Sequence, residues 1–283
     1  MSYKTILVHV DKDQHAAERI ALASRIANAQ NAHLVGVAPT GVSRLVYQTR
    51  YVYDGGRMAS NLDEHLDRLR AEAASALNAF EAEVDKIGAR SFESRPVDDE
   101  AGAAISLQAR YADLVVLGQY DPEHASAVTM SDFPEFVVMN SGRPVLLVPY
   151  TGHFPEAGKR VMIAWDASTS ATRAVTAAIP LLKQAAQVDV VVFNGESSDE
   201  GHGEQPGADI ALYLARHGVQ VNVVRQKTSG IDVGNALLSM ASDLGSDMMV
   251  MGGYGHSRFR EILLGGVTRT VLQSMTVPVL MAH

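Results

Sequence analysis

The chain has no cysteine among its 283 residues, which excludes disulfides, thiolate nucleophiles and cysteine-ligated metals. Cysteine-free composition is the habit of reducing compartments, so a cytoplasmic location is expected. Basic residues are also scarce: 24 Lys and Arg face 32 Asp and Glu, for a net charge of −8. No basic cluster interleaves with aromatic residues, so no nucleic-acid partner is expected. No apolar run approaches the roughly 20 residues of a membrane span. Met1-Ser-Tyr-Lys-Thr runs straight into the apolar Ile6-Leu-Val-His-Val10, so neither a signal peptide nor a membrane partner is expected. The Gly-x-Ser-x-Gly elbow and the His-Glu-x-x-His helix are missing, and the ten histidines are scattered without ligand spacing. No catalytic residue and no protein-bound metal is therefore predicted.

What is present is a long internal repeat. Tyr111-Ala-Asp-Leu-Val-Val-Leu-Gly118-Gln-Tyr120 aligns with Gly245-Ser-Asp-Met-Met-Val-Met-Gly252-Gly-Tyr254 at an offset of 134, which also sets Pro144-Val-Leu on Pro278-Val-Leu. Nearer the start of each copy, Ile6-Leu-Val-His-Val-Asp11 matches Val161-Met-Ile-Ala-Trp-Asp166 at an offset of 155. A unit of this size is a duplicated domain and not a solenoid repeat. The predicted domains are 1–150 and 156–283, joined by a Gly- and Pro-bearing linker. The 21-residue difference between the offsets puts a surplus in the first copy around Thr40 to Arg70.

Apolar runs such as Leu114-Val-Val-Leu117 alternate with amphipathic stretches in both copies. Strands are predicted near 4–10, 32–38, 90–96, 113–118 and 144–149, then 160–165, 188–194, 219–226, 247–252 and 277–282. Helices are predicted near 14–29, 59–87, 99–110 and 133–141, then 169–185, 207–216, 231–242 and 266–275. Alternation of this kind, with strands apolar on both faces, specifies α/β domains with parallel doubly wound sheets. The terminal strands Val145-Leu-Leu-Val148 and Val279-Leu-Met-Ala282 would be aggregation-prone if left bare, so they are expected to pair in an intramolecular pseudo-dimer. A homodimer is left open. Tyr47, Tyr51, Tyr53 and Asp54-Gly55-Gly56 are read as a mobile loop leading into the long helix, or else as a partner-binding or domain-interface patch.

The most distinctive segment is Gly252-Gly-Tyr-Gly255-His-Ser-Arg-Phe-Arg-Glu-Ile-Leu-Leu-Gly265-Gly266. It leaves the predicted strand Met248-Met-Val-Met251 and enters a predicted helix. Glycines there allow close backbone approach, and the free amides of a helix start hold anions. The spacing Gly-x2-Gly-x9-Gly matches neither the Walker A loop nor the compact dinucleotide fingerprint. It resembles the phosphate loop of the universal stress protein family. The resemblance covers essentially the whole chain, because both copies carry the strand ending in Asp, the strand-Gly loop and the closing Pro-Val-Leu strand.

The resemblance implies two tandem doubly wound, Rossmann-like domains of the adenine nucleotide alpha hydrolase-like kind. It further implies ATP or another adenine nucleotide, with Mg²⁺, in members that keep the glycine loop; members without the loop lack the nucleotide. By motif position, Gly252, Gly255, Gly265 and Gly266, flanked by Met251 and Val267, correspond to the phosphate cradle. Asp166 corresponds to the aspartate beside the adenosine, Ala164 and Trp165 to the base pocket, and Val192 and Phe193 to its adenine-facing wall. Bland alternatives stand beside two of these: Asp166 as the cap of the helix starting near Ser168, and Trp165 as a core aromatic. The family pattern ends Gly-Ser/Thr, and Gly266 lacks that hydroxyl. Thr268, His256 and Arg258 are candidate replacement donors, Arg258 being equally a solvated loop residue.

The first copy places Gly118 under Gly252, Asp121 under Gly255, Ser131 under Gly265 and Asp132 under Gly266. Asp132 precedes Phe133-Pro134 and is predicted to cap that helix, taking the amides a phosphate would need. The nucleotide is thus expected in the second half alone. The implied function is a stress-response protein that binds or senses an adenine nucleotide. A non-nucleotide interaction scaffold and a slow ATPase remain the alternatives.

Overall fold

The computed structural model describes residues 2–42, 58–124, 129–193, 205–227, 232–254 and 266–283, with side chains from residue 64 onward in the second stretch. The chain divides into two compact units, Tyr3–Arg143, and Pro144–His283 with Met1–Ser2. The expected loop around Tyr47, Tyr51 and Tyr53 lies outside the described residues.

The first unit runs β1 (Thr5–His9), α1 (Ala16–Gln30), β2 (His33–Pro39), α2 (Met58–Ile87), β3 (Phe92–Val97), α3 (Ala101–Ala109), β4 (Leu114–Gly118) and α4 (Phe133–Asn140). Its strands are parallel, in the order β3-β2-β1-β4. Ile6, Val8 and Leu114 to Leu117 are completely buried, which is why these strands are apolar without alternation. Helix α1 stops at Asn31, whose φ of 52° turns the chain left-handed and lets its N–H reach back to the carbonyls of Ala27 and Asn28. Helix α2 buries Leu66, Ala73, Leu77, Phe80 and Val84 along one stripe. The Phe80 ring needs a glycine in the middle of β2, because a Cβ on Gly36 would stand 2.6 Å from it.

The second unit comprises β5 (Val145–Val148), β6 (Arg160–Ala164), α5 (Thr169–Leu182), β7 (Gln187–Phe193), α6 (Ala208–Arg216), β8 (Asn222–Gln226), α7 (Val233–Asp243), β9 (Met248–Gly252), α8 (Gly266–Ser274) and β10 (Val279–Ala282). The strand order is β8-β7-β6-β9-β10-β5. All neighbours are parallel except β5, which runs antiparallel to β10 with Leu147 opposite Val279. That pairing places β5 in the compact unit that begins at Pro144.

Each copy anchors its first strand in the same way. Asp113, just before β4, accepts from the amides of Lys4 and Thr5 at 2.7 and 3.1 Å. Asp247, just before β9, accepts from Gly158, Lys159 and Arg160 at 2.8, 3.0 and 3.0 Å. The surplus of the first copy resides largely in helix: α2 has 30 residues where α6 has 9, a difference of the same 21 residues that separates the two sequence offsets.

Candidate functional site

In the second unit β6 lies between β7 and β9, with Ala164 opposite both Val191 and Met251. The chain leaves β6 toward β7 on one side while β9 lies on the other, so the crevice beyond their carboxyl ends is a topological switch point. Trp165 and Asp166 follow β6 there, and Gly253 and Tyr254 follow β9. Trp165 is half-buried and Asp166 exposed. Phe193, at the end of β7, is partly exposed. Val192 and Met251 are 1% and 4% exposed, so they pack inside the sheet and not along its open edge.

Three local details stand beside the sequence reading. The cap of α5 is Ser168, whose Oγ accepts from Ala171 N at 3.1 Å; Asp166 instead accepts from Ser168 N at 3.0 Å and shapes the turn before the helix. A Cβ on Gly252 would stand 2.5 Å from Ala171 N and 2.6 Å from Ser170 Oγ, so this glycine admits the start of α5 against β9. Thr268 is 4% exposed and its Oγ1 accepts from Tyr254 N at 3.3 Å, which ties α8 to the turn after β9. Tyr254 holds that turn with φ of 54°. Gly266 opens α8, is exposed, and has no described residue within 4 Å of the position a Cβ would take. Gly255, His256, Arg258 and Gly265 lie outside the described residues.

The equivalent crevice of the first unit is narrowed by a buried cation, which leaves a small pocket lined by His9, Asp11, Arg19, Gly118 and Asp121. Arg19, on α1, is 2% exposed; it donates from Nη2 to Asp11 Oδ1 at 2.7 Å and from Nε to the His9 carbonyl at 2.9 Å. Its Nη1 blocks the space in front of Gly118, where a Cβ would collide with it. The 155 offset places Arg19 under Ala174, which is fully buried. A guanidinium in one copy therefore takes the place of a methyl group in the other. The sequence reading attributed the difference between the halves to Asp121 and to Asp132 as a cap; the structure corrects the second part. Asp132 precedes α4 with φ −96° and ψ 8° and makes no side-chain cap bond, because a cap needs extended backbone to turn its carboxylate back on the amides.

Around Arg19 the electrostatics are those of a buried ion pair beside a neutral imidazole. Burial pushes the Asp11 carboxyl up, but Arg19, then His9, pull it down to about 2. Burial lowers His9 from 6.5 to about 4 despite the attraction of Asp11 3.6 Å away, so the two do not form a salt bridge at neutral pH. A histidine depressed in the folded state contributes stability that is complete above its unfolded value and disappears as the pH falls through the folded one. Between pH 6.5 and 4 the first unit is expected to lose about 3 kcal/mol through this residue. Urea midpoints at several pH values should show the loss, and His9→Gln should flatten the profile across that window.

Sequence reasoning missed Arg19, His9, His15 and His124. A gap-free comparison of the two copies at the 155 and 134 offsets marks all four, since His9 stands for Ala164, His15 for Ser170, Arg19 for Ala174 and His124 for Arg258.

Residues 158–283 match the universal stress protein family model. Among solved structures, a universal stress protein from Archaeoglobus fulgidus DSM 4304 is similar at 15% identity, covering 98% of this chain and 97% of its own, with a TM-score of 0.73. A functionally unknown protein from Pseudomonas aeruginosa PAO1 is similar at 16% identity, covering 98% and 92%, with a TM-score of 0.60. Both likenesses are of fold. A universal stress protein from Archaeoglobus fulgidus in complex with dAMP covers 52% of this chain and 98% of its own at 17% identity, with a TM-score of 0.34. No curated protein matches the sequence. Among the described residues no helix is long and apolar enough to cross a membrane.

Proposed function

We propose, from the premise that residues 158–283 belong to the universal stress protein family, that the chain binds one adenine nucleotide in its second unit and acts as a binding or sensing module of a stress response. The observation that carries this reading is the meeting of Trp165 and Asp166 with Gly253 and Tyr254 at the β6/β9 switch point, the place where open α/β sheets take ligands. The adenine lies against Ala164, Trp165 and Phe193, with Asp166 at the ribose. The phosphates lie on the amides around Gly252, Gly255, Gly265 and Gly266, with ATP and Mg²⁺ as the expected ligand. Thr268 acts by holding the Tyr254 turn, and His256 and Arg258 are further donors. The first unit takes no nucleotide, because Arg19 stands in front of Gly118, where a ligand would need close approach to the backbone. The two terminal strands expected to pair do so as β5 and β10, within the second compact unit. The scaffold reading is favoured by one observation, the packing demand on Gly252 from α5, which accounts for that glycine without a ligand.

Titration calorimetry of the full chain with ATP and with ADP tests the proposal. One site per chain is expected; no binding, or two sites, defeats it. Gly266→Ser is expected to tighten binding about tenfold or more, since a hydrogen bond to a charged acceptor is worth about 1.5–3 kcal/mol. Among the described residues nothing stands within 4 Å of where its Cβ would be.

A further inference from the structure

We propose that the first unit holds a divalent transition-metal ion, zinc or a metal of like preference, on His15, Asp121 and His124. This does not depend on the nucleotide reading of the second unit. The three side chains come from two places in the chain, the start of α1 and the turn after β4, and one ligand atom from each lies within 4.8 Å of the others. His15 Nε2 is 3.2 Å and His124 Nδ1 2.9 Å from the same oxygen, Asp121 Oδ2. The other carboxylate oxygen accepts from Glu123 N at 2.9 Å, which fixes the carboxylate plane and turns Oδ2 toward both rings. Second bonds of this kind are how proteins orient a metal ligand. His15 Nε2 is also 3.0 Å from the Gln14 amide nitrogen, and one ring nitrogen can donate to the carboxylate or accept from the amide, not both. A metal ion would take that lone pair.

Bonds of about 2.0–2.2 Å in a tetrahedral site set ligand atoms roughly 3.3 Å apart. The two short separations therefore need to open by only a few tenths of an ångström, and the ring of His124 is 54% exposed. Two imidazoles and one carboxylate suit zinc, and three protein ligands leave a fourth position for water. Asp121 and His124 line a pocket over β1 and β4, so that position is open to solvent molecules. The copies have thus diverged in charge preference: Asp121 stands where the second half has Gly255, and His124 where it has Arg258. Chain spacing hides the trio, because His15 and Asp121 are 106 residues apart.

The test uses the full chain, stripped with a chelator and titrated with Co²⁺, read by visible ligand-field absorption, and then with Zn²⁺ by calorimetry. One ion per chain is expected. Asp121→Asn and His124→Ala should each weaken binding by at least about tenfold, and His124, being exposed, can be removed without risk to the core. His217→Ala, an exposed histidine of the second unit, serves as the control and should change nothing. Absence of one-to-one binding overturns the site, as does wild-type affinity in both variants or an equal loss in the control. ATP titration of the same stripped protein is read separately, so failure of either proposal leaves the other's result intact.

Discussion

Gly255→Asp is expected to abolish adenine-nucleotide binding, weakening it by about a hundredfold or more, while the fold survives. The substitution adds a Cβ where a ligand needs close backbone approach, and a negative charge where phosphates sit. Two unit charges about 4 Å apart interact by about 4 kcal/mol at an effective dielectric near 20, which exceeds any single hydrogen bond the loop could offer in return. The change also has an internal precedent, since Asp121 occupies the matching position of the first copy. Calorimetry reads the affinity, and the fluorescence of Trp165, the chain's single tryptophan, reports the integrity of the second unit. Wild-type affinity in the variant would remove the glycine loop from the binding site and leave the scaffold reading in possession.

Arg19→Ala is expected to destabilise the first unit by about 3–5 kcal/mol, the cost of removing one partner from a buried ion pair. Asp11 would be left with its carboxylate 10% exposed and no cation, and the His9 carbonyl would lose its donor. A vacant space the size of a guanidinium would open in front of Gly118. Amide exchange of β1 and β4 is the appropriate measurement, because Trp165 is in the other unit. Arg19→Lys separates the contributions: it keeps the charge but loses the fork that bonds Asp11 and His9 together, and should recover only part of the loss. Protection of β1 and β4 unchanged in Arg19→Ala would mean that the pair contributes nothing net.

The elements expected from periodicity formed close to where they were expected, and the reason is local. A strand covered on both faces must be apolar at every position, as Leu114 to Leu117 are, and a helix over such a sheet must carry a stripe at 3.6-residue spacing, as α2 does. The duplication was legible because Asp113 and Asp247 keep one task, clamping the first strand of each unit. Caps were less legible. Asp132 has the right residue type before a Phe-Pro helix start, yet its backbone angles deny it the bond, and Ser168 has the cap that Asp166 was a candidate for.

By itself the sequence determined the α/β class, the tandem repeat, the strand and helix positions and the glycine loop after β9, since each is written in spacing along the chain. Tertiary structure alone decided which crevice is narrowed by a buried side chain, and by which one. Arg19 is an ordinary basic residue on an amphipathic helix until α1 packs on β1 and β4 and places its guanidinium between Asp11 and Gly118. His15 and Asp121 become neighbours only because β1 and β4 pair side by side. Contacts between residues far apart in the chain, such as His15 and Asp121, depend on sheet order and helix packing, which no local pattern encodes.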